Sequence, residues 1–161
     1  MSVPAWVKAS AAVVAAAGVG SIATDASSRW YRGLRKPAWQ PPRAAFPLVW
    51  TPLYALIAVA GTRVSNRGDE SQRGAFARAY GINLVLNAAW TVVFFRARRP
   101  RAALAEIAAL NVSNLLLMRR AAKVDRLAAA ALAPYVAWSL FAAALNAAIV
   151  DLNPGADHPR H

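Results

Sequence analysis

Long apolar stretches alternate with short arginine-rich segments along the chain, and the uncharged residues 127–150 form the most extended stretch. At about 1.5 Å of rise per helical residue, a stretch of that length crosses a hydrocarbon layer of about 30 Å with some tilt. Residues 3–24, 44–62, 79–95 and 102–118 follow the same logic. Alanine dominates them, as in Ala15-Ala16-Ala17 and Ala128 to Ala131, and alanine with leucine favours helix over strand. The pattern therefore predicts an all-α membrane protein, a bundle of five transmembrane helices in one domain, with its termini on opposite sides. Pro47, Pro52 and Pro134 fall inside predicted spans, where neighbouring helices accommodate the lost backbone bonds. The 102–118 span is the most polar, carrying Glu106, Asn111, Ser113 and Asn114, but its flanking arginines can snorkel to the interface.

The first span has a rival reading, because Lys8 followed by Ala9 to Ala17 also matches the charge and apolar core of a signal peptide. No clean A-x-A site follows, and Gly18 and Gly20 among alanines suit close helix packing, so a retained helix is expected. The predicted loops are 25–43, 63–78, 96–101 and 119–126, with a tail from Asp151. Lys and Arg then divide nine to ten between the two sides, 19 in all, so the positive-inside rule assigns no orientation.

Composition adds two points. The net charge of +12 could point to nucleic acid, but the arginines sit between apolar runs and do not line one helix face. They are expected to meet lipid headgroups, at about 1 kcal/mol each near an acidic surface. The chain has no cysteine, and its two histidines, His158 and His161, lie in a polar tail. Disulfides and thiolate chemistry are excluded, and neither a metal site nor a His- or Cys-ligated haem iron is expected. Richness in alanine and arginine is the composition of a GC-rich bacterial genome, hence a bacterial membrane.

The segment from Trp30 to Pro42 is dense in aromatics and prolines. Pro37, Pro41 and Pro42 stiffen it, which fits a rigid cover over a bundle mouth; Trp and Tyr also gather at headgroup level in aromatic belts. Both readings stand on the residues alone. Asn83 and Asn87 are polar groups inside a span, so they face either the other helices or a pocket; interhelical bonds of this kind average about 0.6 kcal/mol and fit either reading. Glu106, the one acid within a span, lies near Arg101 at a helix start, where the macrodipole favours a carboxylate. A structural pair at the interface is expected in preference to a proton relay.

The run W-Y-x-x-L-x-K-P-x-W-x-P-P from Trp30, followed by F-P-x-x-W-x-x-L-Y from Phe46 to Tyr54, resembles the first loop and second helix of the TspO/translocator protein family of tryptophan-rich sensory proteins. N-L-V-L-N-A-A-W-T-V-V-F-F in the third span is similar to that family's Q-x-x-x-N-x-x-W-[ST]-x-x-F-F. Pro134-Tyr135-Val136-Ala137-Trp138 through Leu145-Asn146 resembles its fifth-helix pattern. There are departures. Asn83 stands where Gln is usual, Val92 where Pro is common, and Asn111 near a frequent aromatic; Ala147 and Ala148 break the cholesterol-recognition pattern, itself weak.

The resemblance implies a five-helix protein, often a homodimer, whose pocket beneath the first loop binds porphyrins, haem and synthetic benzodiazepine-type or isoquinoline ligands. The residues it assigns to ligand are Trp30, Tyr31, Trp39, Trp50, Tyr54, Asn87, Trp90, Tyr135, Trp138 and Ala142. Helical spacing independently puts Trp50 with Tyr54, Asn83 with Asn87, Trp90 and Thr91, and Tyr135 with Trp138 and Ala142 on shared faces. Aromatic walls suit a broad planar ring, and Arg32, Arg35, Lys36 and Arg43 suit its acidic arms. The expected function is a membrane tetrapyrrole receptor or sensor, with or without transport, requiring no cofactor. Two alternatives stand beside it. One is an enzyme of light- and oxygen-dependent porphyrin breakdown, with Trp50 and Trp138 as redox-active indoles, although the chain has no conventional acid–base or nucleophile set. The other is an oligomeric scaffold.

Overall fold

The computed structural model describes residues 3–157, so His158 and His161 lie outside the described residues. Six α-helices make up the fold: α1 (Ala5–Ala23), α2 (Arg29–Gly33), α3 (Ala45–Arg67), α4 (Glu70–Thr91), α5 (Pro100–Ala122) and α6 (Arg126–Leu152); a π-helical turn, Val92–Arg96, follows α4 directly. α1 packs against α3 and α4, α3 against α6, α6 against α5, and α5 against α4, which closes the long helices into a ring. Four of them, α1, α3, α5 and α6, are long and apolar enough to cross a membrane. α4 is not, because Glu70, Arg73 and Arg78 occupy its first turns and its apolar part runs on into the π-turn.

One predicted loop is largely helical and another contains a single helical turn. Residues 63–78 leave only Gly68 and Asp69 outside helix, since Asp69 caps α4 through a reciprocal capping box with Gln72. A short-range cap of this kind carries no hydropathy signal. Within 25–43, Ser28 accepts a hydrogen bond from the Tyr31 amide and starts the single-turn α2. Pro100 occupies the first turn of α5, where its missing N–H costs nothing, and Arg98, at φ 54°, makes the reversal that precedes it. Pro134 and Pro52 both sit inside unbroken helices.

The ring is inverted relative to a water-soluble core. Val14 and Ile22 on α1, Leu48 on α3, Ile82 and Val85 on α4, Val112 on α5 and Leu127 on α6 all point outward and exposed. Asn83, Asn87, Asn111, Asn114, Ser139 and Asn146 are buried inside. Hydrocarbon solvates the first set and offers the second no hydrogen bonds, so polar groups turn inward and pair. At Gly61 a Cβ would stand 3.0 Å from the Tyr80 ring and 3.2 Å from the Ala9 methyl, so only glycine lets α1, α3 and α4 approach this closely.

One end of the ring is clamped by Asp125, the α6 N-cap, whose carboxylate accepts from Arg63 at 2.7 Å and Arg67 at 2.8 Å. Burial raises the Asp125 pKa, but the Arg63 hydrogen bond, the Leu127 amide and the charges of Arg63 and Arg67 outweigh it and hold the group below its usual range. The expected Glu106–Arg101 pair does not form. Arg101 turns to the C-terminal segment, donating to the Pro154 carbonyl at 3.0 Å and lying 3.6 Å from the Asp157 carboxylate. Both Glu106 carboxylate oxygens are left buried without a hydrogen-bond partner. Sequence proximity put Arg101 within a turn and a half of Glu106, but at the start of α5 it lies close enough to the chain's C-terminal turn to pair there instead.

Candidate functional site

The ring encloses a cavity of about 350 Å³, within the roughly 300–1,000 Å³ of small-molecule sites. Trp50 and Tyr54 come from α3, Asn87, Trp90 and Thr91 from α4, and Trp138 and Ala142 from α6; Tyr31 of α2 and Arg43 stand at the loop end. The four-residue spacing of Trp50 and Tyr54 produces a stacked pair with ring centroids 5.1 Å apart. Trp138 packs edge-on to Phe46 at 5.9 Å and against Phe141 at 5.1 Å. Its indole is thereby held between α3 and its own helix.

Behind this wall runs a chain of hydrogen bonds. The Tyr54 hydroxyl donates to Asn87 Oδ1 at 3.2 Å, Asn87 Nδ2 donates to the Tyr135 hydroxyl at 3.1 Å, and that hydroxyl donates to Asn83 Oδ1 at 3.1 Å. Asn83 Nδ2 then donates to Asn114 Oδ1 at 2.6 Å and Ser113 at 3.2 Å, so α3, α4, α5 and α6 are tied together. A second hub joins Trp90 Nε1 to Asn146 Oδ1 at 3.0 Å, with Asn146 Nδ2 on the Pro100 carbonyl at 2.9 Å.

The loop over this end is held at two points. Asn153, just past α6, accepts from the Arg35 amide at 2.9 Å and donates to the Arg35 carbonyl at 2.8 Å. Lys36 Nζ donates to the Tyr31 and Leu34 carbonyls at 2.6 and 2.9 Å and lies 4.5 Å from the Tyr31 ring centre. Burial and the nearby charge of Arg43 lower the Lys36 pKa, and burial raises that of Tyr31. Lys36 is thus a structural cation. Arg32 and Arg35 are exposed, and of the four cations expected at the mouth Arg43 is the one in the cavity wall.

Of the ten residues singled out from the sequence, Tyr31, Trp50, Tyr54, Asn87, Trp90, Trp138 and Ala142 line the cavity. Trp30 packs instead on Phe94, at 5.8 Å, in the core beneath the loop. Trp39 is half exposed and rests edge-on against Phe141. Tyr135 is fully buried behind Trp50, its ring centre 6.2 Å away. The wall also contains Gly20 of α1 and Thr24 just past it, Phe94 and Phe95 of the π-turn, Ile107 and Leu110 of α5, and Ser139 of α6. Gly20 among the alanines of α1 and the Phe94-Phe95 pair that ends the third-span motif were the visible signals. The π-turn, whose wider winding puts adjacent Phe94 and Phe95 on the same wall, has no sequence signature.

An all-helical ring with apolar side chains outward and an aromatic-lined cavity within defines a multi-pass membrane protein with a ligand-sized chamber. Residues 9–152 match the profile of the TspO/MBR family, and the chain belongs to that family. It is 36% identical to the "Tryptophan-rich protein TspO" of Chlorobaculum tepidum over 84% of this chain and 87% of the relative. It is 37% identical to the "Tryptophan-rich sensory protein" of Cereibacter sphaeroides over 77% of each. The "Translocator protein" of Homo sapiens is 36% identical over 73% of this chain and 71% of its own.

Proposed function

We propose that this chain is a tetrapyrrole-binding membrane receptor that crosses the bilayer five times. The observation that carries the reading is the cavity, where Trp50, Trp90 and Trp138 surround an apolar chamber with a single cation, Arg43, at the loop end. A flat, apolar macrocycle stacks on indoles and leaves its acidic arms at the mouth. α4 serves as the fifth span, because Ile82 and Val85 face outward like the apolar residues of the other long helices; Arg73 and Arg78 then lie at or beyond the interface.

Titration of the purified protein with protoporphyrin IX, followed by tryptophan fluorescence, tests the reading. Saturable quenching is expected. Trp50→Ala and Trp138→Ala should each weaken binding by roughly tenfold or more and the Phe variants less, on a stacking scale of about 1–3 kcal/mol borrowed from base–aromatic contacts. Trp6 is exposed on α1, away from the cavity, so Trp6→Ala should bind unchanged. Equal losses at all three tryptophans would defeat the assignment. Loss of porphyrin under illumination, abolished in Trp→Phe variants that still bind, would move the protein to the enzyme class.

A further inference from the structure

At the end of the ring away from the covering loop, a groove of about 370 Å³ runs between the first turns of α4 and the last turns of α5. Ser71 and Gln72 stand on its α4 side, and Leu116, Arg119, Arg120 and Lys123 on its α5 side. The groove straddles a boundary. Leu116 lies inside the predicted 102–118 span and belongs to an apolar face that also exposes Val112 and Leu115. Arg119 is the first residue past that span. Lys123 follows Arg119 by four residues and Arg120 by three, so the three cations share one face.

None of these cations is in an ion pair among the described residues. The acids at this end are engaged elsewhere or stand aside: Asp125 takes Arg63 and Arg67, Asp69 caps α4, and Glu70 is exposed outside the groove wall. The α4 side adds donors. Gln72 Oε1 accepts the Asp69 amide at 3.0 Å, which leaves its Nε2 hydrogens and the Ser71 hydroxyl to donate. The bonds from Asn83 to Ser113 and Asn114, which tie α4 to α5, lie deeper in the ring.

We propose that this groove binds one anionic phospholipid, which staples α4 to α5 at the membrane surface. Its phosphodiester sits among Arg119, Arg120 and Lys123, with Ser71 and Gln72 donating from the opposite side, and its acyl chains run down over Leu116 and Val112. Basic pockets between membrane helices recognise acidic headgroups in this way. Cations that only complemented the α5 C-terminal dipole would need neither a groove nor donors on a second helix. A lipid is selected over a free anion because the groove opens onto an apolar outer face, which an inorganic ion would leave unused. The site is separate from the aromatic cavity and does not depend on the tetrapyrrole reading.

Native mass spectrometry of the purified full chain in detergent, titrated with phosphatidylglycerol and separately with phosphatidylcholine, counts bound lipids and ranks their affinities. Wild type should hold one phosphatidylglycerol in clear preference to phosphatidylcholine, and its thermal midpoint should rise on binding. Combining Arg119→Gln, Arg120→Gln and Lys123→Gln should weaken that first lipid by about ten- to hundredfold, and each single replacement by about fivefold. Should the triple variant not fold, the single variants decide. Lys8, Arg78 and Arg126 are exposed cations outside the groove wall; replacing all three by Gln removes the same charge and should leave lipid binding unchanged. Equal losses in the two triple variants would mean diffuse surface charge and overturn the site, as would equal binding of the two lipids by wild type. Inorganic phosphate, compared with chloride at the same ionic strength, should not displace the lipid; displacement would make the groove a free-anion site and overturn the lipid assignment.

Discussion

Replacing Tyr135 by Phe removes one oxygen from the centre of the structure and leaves the ring packed against Trp50. The hydroxyl serves two partners, donating to Asn83 Oδ1 and accepting from Asn87 Nδ2, each at 3.1 Å. Neither amide atom has another partner among the described residues. In a water-soluble core each orphaned group would cost about 1–3 kcal/mol; interhelical bonds in membrane proteins average about 0.6 kcal/mol. The two sites differ in access. Asn87 lines the cavity, where water can replace the lost partner, whereas Asn83 is fully buried outside it. The orphaned Asn83 oxygen should dominate, for a total of about 1–3 kcal/mol. At about 2–4 °C per kcal/mol for a chain of this size, the thermal midpoint in detergent should fall by about 2–12 °C. Porphyrin affinity should change little, since the wall residues are untouched. A Tyr135→Phe protein that melts together with wild type would show that the hydrogen-bond chain through α3, α4, α5 and α6 carries no stability.

Asn153→Ala removes the pair of bonds that clip the covering loop to the end of α6. Stopped-flow binding should show association and dissociation both faster by about three- to tenfold with little change in affinity, and unchanged rates would mean that the loop is not latched there. Asp125 has a depressed pKa in the folded chain, so its contribution is complete above the unfolded value of about 3.9 and is lost as pH falls through the folded one. Asp125→Asn should therefore melt lower than wild type at neutral pH, and the two melting curves should converge below about pH 4; a constant gap across that range would remove the ion pair as its cause.

The membrane character was readable from sequence because hydrocarbon imposes a one-dimensional rule: an uncharged stretch about 20 residues long crosses it. That rule marked α1, α3, α5, α6 and, as residues 79–95, the apolar half of α4 with the π-turn, and the tryptophan motifs marked the family. It stopped where the controlling contacts were local or long-range. The Asp69–Gln72 capping box extends helix through residues that hydropathy assigned to a loop, so α4 starts nine residues before the predicted span at 79. Face-sharing placed Trp50 with Tyr54, but whether an inward residue meets the cavity or the neighbouring helix depends on how the ring closes. Tyr135 and Trp138 are three apart on α6, yet only Trp138 reaches the chamber. The Arg101 contact to the Pro154 carbonyl spans 53 residues and displaces the short-range pairing with Glu106. The Asn111 side-chain oxygen, left without a partner, is likewise a product of packing. Sequence determines which groups are polar; only the closed ring decides which of them are left without a partner.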